Sequence, residues 1–341
     1  MIQEHLNEIL LSKRMIRSDP VGDIWINDYY QEVVESFDIK DTEIMVCNTL
    51  QRRCSCASVR GIKIIILDNY LSELFMIFNQ ILECEEDEKY IEPLFCKLIY
   101  ESYFVEGQIQ LAAVYKTLTQ RAFNKLGAMQ INQVSKHSKP QLLYTQQAFL
   151  VMHEVMHSFF KDNPGDLSHQ KEIVKSLLDK VLYNGSIKHV PTVTESYLEE
   201  MCCDHLAAYS AISLSIEKEQ CPEIDAACAV ILVLHYQFLL MCIDKALTSK
   251  DLFDDVGEFA VRATIIRMFV NNYFKVKDPE LVNPINNHIS ETIDKWNKIY
   301  QERLTQFLIS HKQNLPKYRN IKLSSEELDE LQRAIHRSFK E

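Results

Sequence analysis

The segment from Gln146 to Phe160 constrains the fold of this chain more than any other. It reads QQAFLVMHEVMHSFF, with mostly apolar residues and with no glycine or proline before Pro164 and Gly165. Such a run predicts a buried helix that ends at the following Pro-Gly turn. We therefore expect a helix over residues 145–160.

Within this segment, His153, Glu154 and His157 form the pattern H-E-x-x-H. Residues four apart share one face of an α-helix, so both imidazoles can point toward a single metal ion. Neutral imidazoles suit Zn²⁺, and Glu154 lies beside them, where it can take a proton from water that the zinc activates. The pattern predicts a Zn²⁺ site with His153 and His157 as ligands and Glu154 as the catalytic general base.

A catalytic zinc with two histidine ligands needs a third ligand from the protein. The metzincin solution, a histidine six residues after the second one, is excluded because position 163 is Asn163. A downstream segment, residues 193–216, contains no glycine or proline and predicts a second helix. Thr192 and Glu195 match a capping box at its start. A ligand from this second helix is therefore expected.

Glu200 and Asp204 are four residues apart in this second helix and so lie on one face. We predict that Glu200 binds the metal. Asp204, one turn later, is then placed to accept a hydrogen bond from the outer N–H of a liganding histidine. Such a bond fixes the tautomer and the orientation of the imidazole ring.

Other residues could take the place of Glu200. Glu199 is adjacent, but its side chain points about 100° away around the helix. His205 directly follows the predicted orienting aspartate and is the strongest competitor. Further metal-binding side chains are those of Cys202, Cys203, His169 and His189. Glu200 is preferred, and Glu199 and His205 remain alternatives.

The two segments together, HEVMH and EMCCDHLAA, resemble the gluzincin pattern H-E-x-x-H…E-x-x-x-D-x-x-A. This pattern occurs in membrane-bound CAAX-protease and heat-shock groups, and it is also similar to the soluble Lit-type phage-exclusion peptidases of bacteria. The resemblance implies zinc ligands His153, His157 and Glu200, the general base Glu154 and the orienting residue Asp204. It rests on these two short segments.

The resemblance implies an intracellular zinc-dependent endopeptidase that hydrolyses a peptide bond in a protein substrate. Its Lit-type form implies a toxin or phage-defence protease that cleaves a host protein during infection. Because a broadly active protease would harm its own cell, we also expect gating, for example by an activating partner. The alternative is a non-hydrolytic regulatory or binding protein that zinc stabilises. Such a protein would have no need for Glu154, so the sequence favours the enzyme.

Two further features of the gluzincin families have partial counterparts here. Ile62–Ile66 resembles the strand at the lip of the cleft, which can hold an extended substrate peptide, although a buried core strand is an equal alternative. Val256 and Gly257 stand where a His-Pro pair would precede Arg262. The donor that stabilises the oxyanion is therefore open, with these candidates: Arg262, Arg267, Tyr209 and His288.

Glycine and proline are scarce in this chain, with 7 and 9 among 341 residues. This scarcity predicts a mainly α fold with a small β-sheet (α+β), and the β signals are confined to residues 43–67. The expected architecture is a zincin-like metallopeptidase domain over residues 1–315, with helices over residues 1–40, and a C-terminal helix over 316–341. A break at Asn314–Tyr318 is expected before that helix, and Ser324 with Glu327 forms its capping box.

Charge and composition exclude some other functions. The net charge of −11 and the lack of a basic run disfavour nucleic-acid binding. Ten cysteines without an N-terminal secretory pattern predict reduced thiols and a cytoplasmic location. The apolar run from Ala226 to Ile243 contains polar residues and predicts a buried core helix rather than stable insertion in a membrane.

Overall fold

The computed structural model of this protein describes residues 16–17, 33, 42–48, 50, 52–59, 62–126, 140–183, 192–246 and 253–320. Within these ranges the chain is mostly helical and contains a small mixed β-sheet. The predicted class, mainly α with a small sheet, is confirmed. The expected N-terminal helices over residues 1–40 lie largely outside the described residues, and the prediction is wrong for Ile16–Arg17, which form a strand.

The described sheet has the strand order β1-β2-β4-β3. The strands are β1 (Ile16–Arg17), β2 (Thr42–Asn48), β3 (Ser55–Val59) and β4 (Ile62–Asp68). Strands β2 and β4 are parallel, whereas β1 and β3 pair antiparallel with their neighbours. The sheet therefore has two long parallel strands at its centre and shorter strands outside them.

Strand β4 contains the predicted Ile62–Ile66 run, but it does not lie at an edge. It sits between β2 and β3, and Ile65 is completely buried. The alternative of a buried core strand is thus correct. The edge position belongs to β3, whose Cys56 pairs with Ile65. The sequence of β3, SCASV, has mostly small residues with little preference for strands, so its conformation depends on pairing with β4.

The helices follow the sheet in the chain. They are α1 (Asn69–Glu83), α2 (Ile91–Val105), α3 (Ile109–Leu126), α4 (Pro140–Asp162), α5 (Pro164–Tyr183), α6 (Glu195–Glu217), α7 (Glu223–Ala246), α8 (Phe253–Lys277), α9 (Val282–Trp296) and α10 (Glu302–Arg319). A 3-10 helix precedes α2, and a π-helical turn joins α9 to α10. Helices α4 and α6 are the two predicted metal-binding helices, each within a few residues of its expected bounds.

Helix α4 lies at the centre of the fold. It is apolar around most of its circumference, as a helix buried on several sides must be. It packs against α1, α6 and α7 and against strands β3 and β4. Phe149 and Val151 are fully buried, and each such side chain contributes about 1.5–3 kcal/mol to folding. This burial fixes the rotation of α4 and thereby the direction of its polar residues.

A second apolar cluster lies between α5, α6 and α8. It includes Val174 from α5, Leu198 and Cys202 from α6, and Val261 from α8. These contacts hold α6 between α4 on one side and α8 on the other. The three helices can therefore bring side chains to a common point.

Helix α7 is the one described helix that is long and apolar enough to cross a membrane, over Glu223–Lys245. In the structure, 78% of its most apolar window is buried inside the protein. Its neighbours are α1, α2, α4, α6, α8 and α9. These contacts are those of the core helix that the sequence predicted.

Two predicted helix boundaries are wrong. Thr194, not Thr192, caps α6, because its hydroxyl accepts a hydrogen bond from the amide of Tyr197. The expected break at Asn314–Tyr318 is absent, since α10 continues through Pro316 to Arg319. The expected domain boundary at 315/316 thus falls within a helix. The final helix predicted from Ser324 lies outside the described residues.

Candidate metal centre

Helix α4 places His153 and His157 one turn apart on the face that meets α6. Their ring centroids are 4.8 Å apart, and the two Nε2 atoms are separated by 3.2 Å. The first ring also lies parallel to Phe149, one turn earlier, which supports its orientation. The i, i+4 spacing therefore has the geometric effect that the sequence predicted.

Helix α6 brings Glu200 to the same point. Its Oε2 atom lies 3.4 Å from Nε2 of His153, and its Oε1 atom lies 3.2 Å from Nε2 of His157. Among the described ranges, these three residues form the one group whose ligand atoms could hold a metal ion together. The predicted set of three ligands is thus brought together.

The separations between the ligand atoms are close to those around zinc. At zinc–ligand distances of about 2.0–2.1 Å, the edge of a tetrahedron is about 3.3 Å. The two Nε2 atoms are 3.2 Å apart, and each faces a different oxygen of Glu200, His153 at 3.4 Å and His157 at 3.2 Å. Two imidazole nitrogens and a carboxylate oxygen are also the donor types that zinc uses in catalytic sites. In both geometry and chemistry, the three residues fit a zinc ion.

The outer nitrogens of both imidazoles face carboxylates. Nδ1 of His153 lies 3.0 Å from Oδ1 of Asp204, and Nδ1 of His157 lies 3.4 Å from Oε1 of Glu199. A proton on each Nδ1 leaves a lone pair on each Nε2, directed at the other ligand atoms. Three lone-pair atoms this close repel one another unless a positive charge lies between them. The cluster is therefore arranged to attract a cation.

Glu199 is the residue that sequence reasoning placed incorrectly. The sequence predicts that its side chain points away from that of Glu200, and leaves it only as an alternative ligand. In the structure, Glu199 instead contacts the outer nitrogen of His157. The angle of about 100° between adjacent helix residues separates the two carboxylates, but both still face α4. Glu200 faces the Nε2 atoms of both histidines, and Glu199 faces the Nδ1 atom of His157.

Arg262 from α8 holds Asp204 on its other side. Its Nε and Nη2 atoms donate hydrogen bonds of 2.6 and 2.9 Å to the two carboxylate oxygens of Asp204. Its Nη2 also lies 3.6 Å from Glu200. Burial would raise the pKa of Asp204, but Arg262 and His153 outweigh this effect and lower it. Asp204 is therefore a buried, ionised group that orients a histidine and is itself oriented by an arginine.

Glu154 is 8% exposed and lies beside the two histidines. Burial raises the pKa of its carboxyl group, and the charges of His153 and His157 partly oppose this effect. Its carboxylate also accepts a hydrogen bond from the backbone amide of Cys56 in the edge strand β3. This amide could not be predicted from the sequence, because the contact depends on how the sheet packs against α4.

A cleft of about 630 Å³ leads to this cluster. Its lining includes His153, Glu154, Glu200 and Arg262, together with residues of α7 and the segment before β3. The two helices of the metal cluster form its floor, and α7 and α8 form a wall. Its volume is within the range of small-molecule and peptide sites.

Arg52 anchors the far end of the cleft, just before β3. Its backbone has a φ of 55°, which is unusual for a residue with a side chain. Its buried guanidinium donates hydrogen bonds to Ser102 and to the carbonyl of Leu98, and it forms a 2.5 Å ion pair with Asp244. These bonds to α2 and α7 hold the turn from which β3 starts.

The competing ligands lie elsewhere. His205 contacts Gln170 at 2.6 Å and packs against Phe269, and burial lowers its pKa to about 4. Cys202 and Cys203 are buried in the apolar cluster between α5, α6 and α8. His169 is exposed on α5, and His189 lies outside the described residues. Of the residues considered, only Glu200 completes the pair of histidines.

The four candidates for the oxyanion donor lie at different places in the structure. Arg262 lines the cleft, whereas Arg267 bonds to Ser290 and lines a different cavity. Tyr209 packs against aromatic residues of α8, and His288 pairs with Asp225. Arg262 is thus the candidate at the right place.

Scans of this chain against protein-family models, curated proteins and solved structures found no match. The gluzincin resemblance accordingly rests on the residues of the two helices. The geometry that these residues adopt is what bears on function.

Proposed function

We propose that this protein is a zinc-dependent endopeptidase of the gluzincin type, with a zincin-like catalytic domain. The observation that carries the proposal is the convergence of His153, His157 and Glu200, whose ligand atoms all lie within 4.8 Å of one another, with a buried glutamate beside them. His153, His157 and Glu200 would hold the zinc. The neighbouring glutamate, Glu154, would serve as the general base.

Zinc in such a site supplies Lewis acidity, which polarises a carbonyl group and makes water acidic enough to lose a proton near neutral pH. Glu154 would accept that proton and later deliver it to the leaving amine. Burial supports this role because it raises the pKa of Glu154 toward the range where a carboxylate can both accept and release a proton. The amide of Cys56 would keep the carboxylate directed at the cleft.

Arg262 is our candidate for stabilising the oxyanion. Its Nε and Nη2 atoms are engaged by Asp204, but its Nη1 atom has no hydrogen-bond partner among the described residues. A guanidinium N–H at the edge of the cleft can donate to the negative oxygen that develops during hydrolysis of an amide. The same residue would therefore orient Asp204 and assist the reaction.

Strand β3 is our candidate for holding the substrate backbone. It is the outermost strand at its side of the described sheet, and its Cys56 adjoins the general base. An extended peptide can pair with such an edge and so place its scissile bond over the metal. This supports a protein segment, rather than a compact small molecule, as the substrate class.

We further propose that the reaction takes place in the cytoplasm and is gated. The ten cysteines suit a reducing compartment. A protease acting among the proteins of its own cell would require control, which is the reason to propose an activating partner. The Lit-type resemblance of the two helix segments is the reason to propose that this control belongs to phage defence.

The test compares Glu154→Gln with Glu199→Gln, two matched changes that each remove one carboxylate charge near the histidines. Purified proteins are incubated with peptides from a digested cell extract, and new termini are identified by mass spectrometry. Glu154→Gln should retain about one zinc per chain and lose at least about 10²-fold in cleavage rate, whereas Glu199→Gln should still cleave. Cleavage by Glu154→Gln at the wild-type rate would refute the mechanism. Because the proposed gate would silence every form alike, the incubation is repeated with added cell extract as a source of the activating partner. Zinc binding without cleavage by any form under both conditions would favour the zinc-stabilised regulatory protein.

A further inference from the structure

A second cavity lies behind the wall of the cleft. It has a volume of about 300 Å³ and is lined by residues of α7, α8 and α9. Phe238 and Phe259 line both this cavity and the cleft, and their rings stack at 4.4 Å and 17°. The cavity contains none of the metal-binding residues. We call it the rear pocket.

Most of the rear pocket is aromatic or aliphatic. Besides the two phenylalanines, it is lined by Trp296, by Ile289 and by the ring of His235. The histidine packs at 4.7 Å against the tryptophan and at 5.2 Å against Phe259. Burial lowers the pKa of His235 to about 4, so the ring is uncharged near neutral pH. These walls suit an apolar group.

Arg267 brings a positive charge to the same pocket. Its Nη2 atom donates to Ser290 Oγ at 2.6 Å and lies 3.4 Å from the carbonyl oxygen of Asn286. Its Nε and Nη1 atoms have no hydrogen-bond partner, and its guanidinium has no carboxylate partner, within the part of the chain that is described. Arg262, on the adjacent turn of α8, differs in this respect, because the buried Asp204 of α6 neutralises its charge. An arginine beside an apolar cavity, without an acidic partner, favours an anion with an apolar body.

We propose that the rear pocket binds a small apolar carboxylate, with its carboxyl group on Arg267 and its apolar part against Phe238, Phe259 and Trp296. The volume suits a molecule of about ten non-hydrogen atoms, at the lower end of known small-molecule sites. Because the two phenylalanines also line the cleft, an occupant would contact the wall of the candidate active site. The binding itself does not depend on the proposed hydrolysis.

Tryptophan fluorescence can test this proposal directly. The chain has two tryptophans, Trp25 and Trp296, so Trp25→Phe leaves a single reporter in the pocket. In that background, octanoate should change the fluorescence saturably. Octanol, which has the same chain without the charge, should bind at least about tenfold more weakly, because it cannot form the charge-assisted bonds to Arg267. Equal binding of both, or no saturable change with octanoate, would overturn the proposal.

Variants make the assignment specific. Arg267→Gln should remove the preference for octanoate over octanol, whereas Lys298→Gln, which removes an exposed positive charge outside the pocket, should preserve it. Ala263→Phe should fill the cavity and abolish binding of both molecules, with circular dichroism to confirm that the variant is folded. If Ala263→Phe does not fold, the pair Arg267→Gln and Lys298→Gln decides. Unchanged preference in Arg267→Gln would refute the site.

Discussion

The candidate metal centre and the rear pocket both bury histidine, but they shift its pKa in opposite directions. At the metal centre, burial would lower the pKa of His153, but Asp204 and Glu200 raise it to about 10. In the rear pocket, burial alone lowers the pKa of His235 to about 4. The two regions are separated by the stacked pair Phe238 and Phe259.

The difference lies in the carboxylates, not in the depth of burial. One region collects Glu199, Glu200 and Asp204 around two imidazoles, and therefore favours a positive charge at their inner nitrogens. The other surrounds its imidazole with aromatic rings and keeps it neutral. A histidine becomes a metal ligand when its outer nitrogen has an acceptor and its inner nitrogen faces other ligands.

Among changes to the carboxylates that face the outer nitrogens, the largest effect should come from Asp204→Asn, which makes the candidate metal centre more like the rear pocket. The amide cannot hold the outer N–H of His153 as firmly, so zinc affinity should fall about 10–100-fold. Arg262 also loses its ionised partner, so the free energy of unfolding should fall by about 3 kcal/mol. Competition with a chelating dye and urea unfolding measure the two losses. Wild-type zinc affinity in this variant would show that Asp204 does not orient the ligand.

Glu199→Gln should have a smaller effect on the same centre. Glu199 is more exposed than Asp204 and lies farther from its histidine, at 3.4 rather than 3.0 Å. We therefore expect zinc affinity to fall by less than about tenfold, with little loss of stability. Competition with the same chelating dye measures the zinc affinity. A loss as great as that of Asp204→Asn would mean that the two outer carboxylates are equivalent.

His235→Phe should leave zinc binding unchanged and alter only the response to acid. The pKa of His235 is about 4 in the folded protein and about 6.5 when unfolded, so the unfolded chain takes up the proton first as the pH falls. This histidine therefore contributes stability above pH 6.5 that is lost as the pH falls toward 4. Removing it should reduce the acid-dependent loss of unfolding free energy by about 2–3 kcal/mol.

Urea unfolding at pH 7 and pH 4.5, in the presence of a chelator, measures this loss for wild type and variant. Other acid-sensitive groups are common to both proteins and cancel in the difference. An identical loss in both would mean that His235 does not titrate as its apolar surroundings indicate.

Local spacing was sufficient to predict much of the centre. His153, Glu154 and His157 follow from the turn of one helix, and Glu200 with Asp204 from the turn of another. The roles of Glu199, Cys56 and Arg262 could not be predicted in this way. They depend on the rotation of α6 against α4 and on the approach of β3 and α8, which are set by apolar packing far along the chain.

The wrong predictions about the fold have similar physical causes. The run Ile62–Ile66 predicts a strand but not its place in the sheet, because β3 next to it has weak β propensity and forms through pairing. Thr192 and Thr194 are both suitable caps, and the structure uses the latter. Pro316 did not end α10, which continues to Arg319, although a proline at this position removes one backbone hydrogen bond of the helix.

The most direct test of the account is the metal content of purified protein. Wild type, Glu199→Ala and His205→Ala should each contain about one zinc per chain, and Glu200→Ala should contain almost none, as measured by mass spectrometry of the metal. Glu200 would not be the third ligand if Glu200→Ala kept its zinc, or if His205→Ala lost it while Glu200→Ala did not.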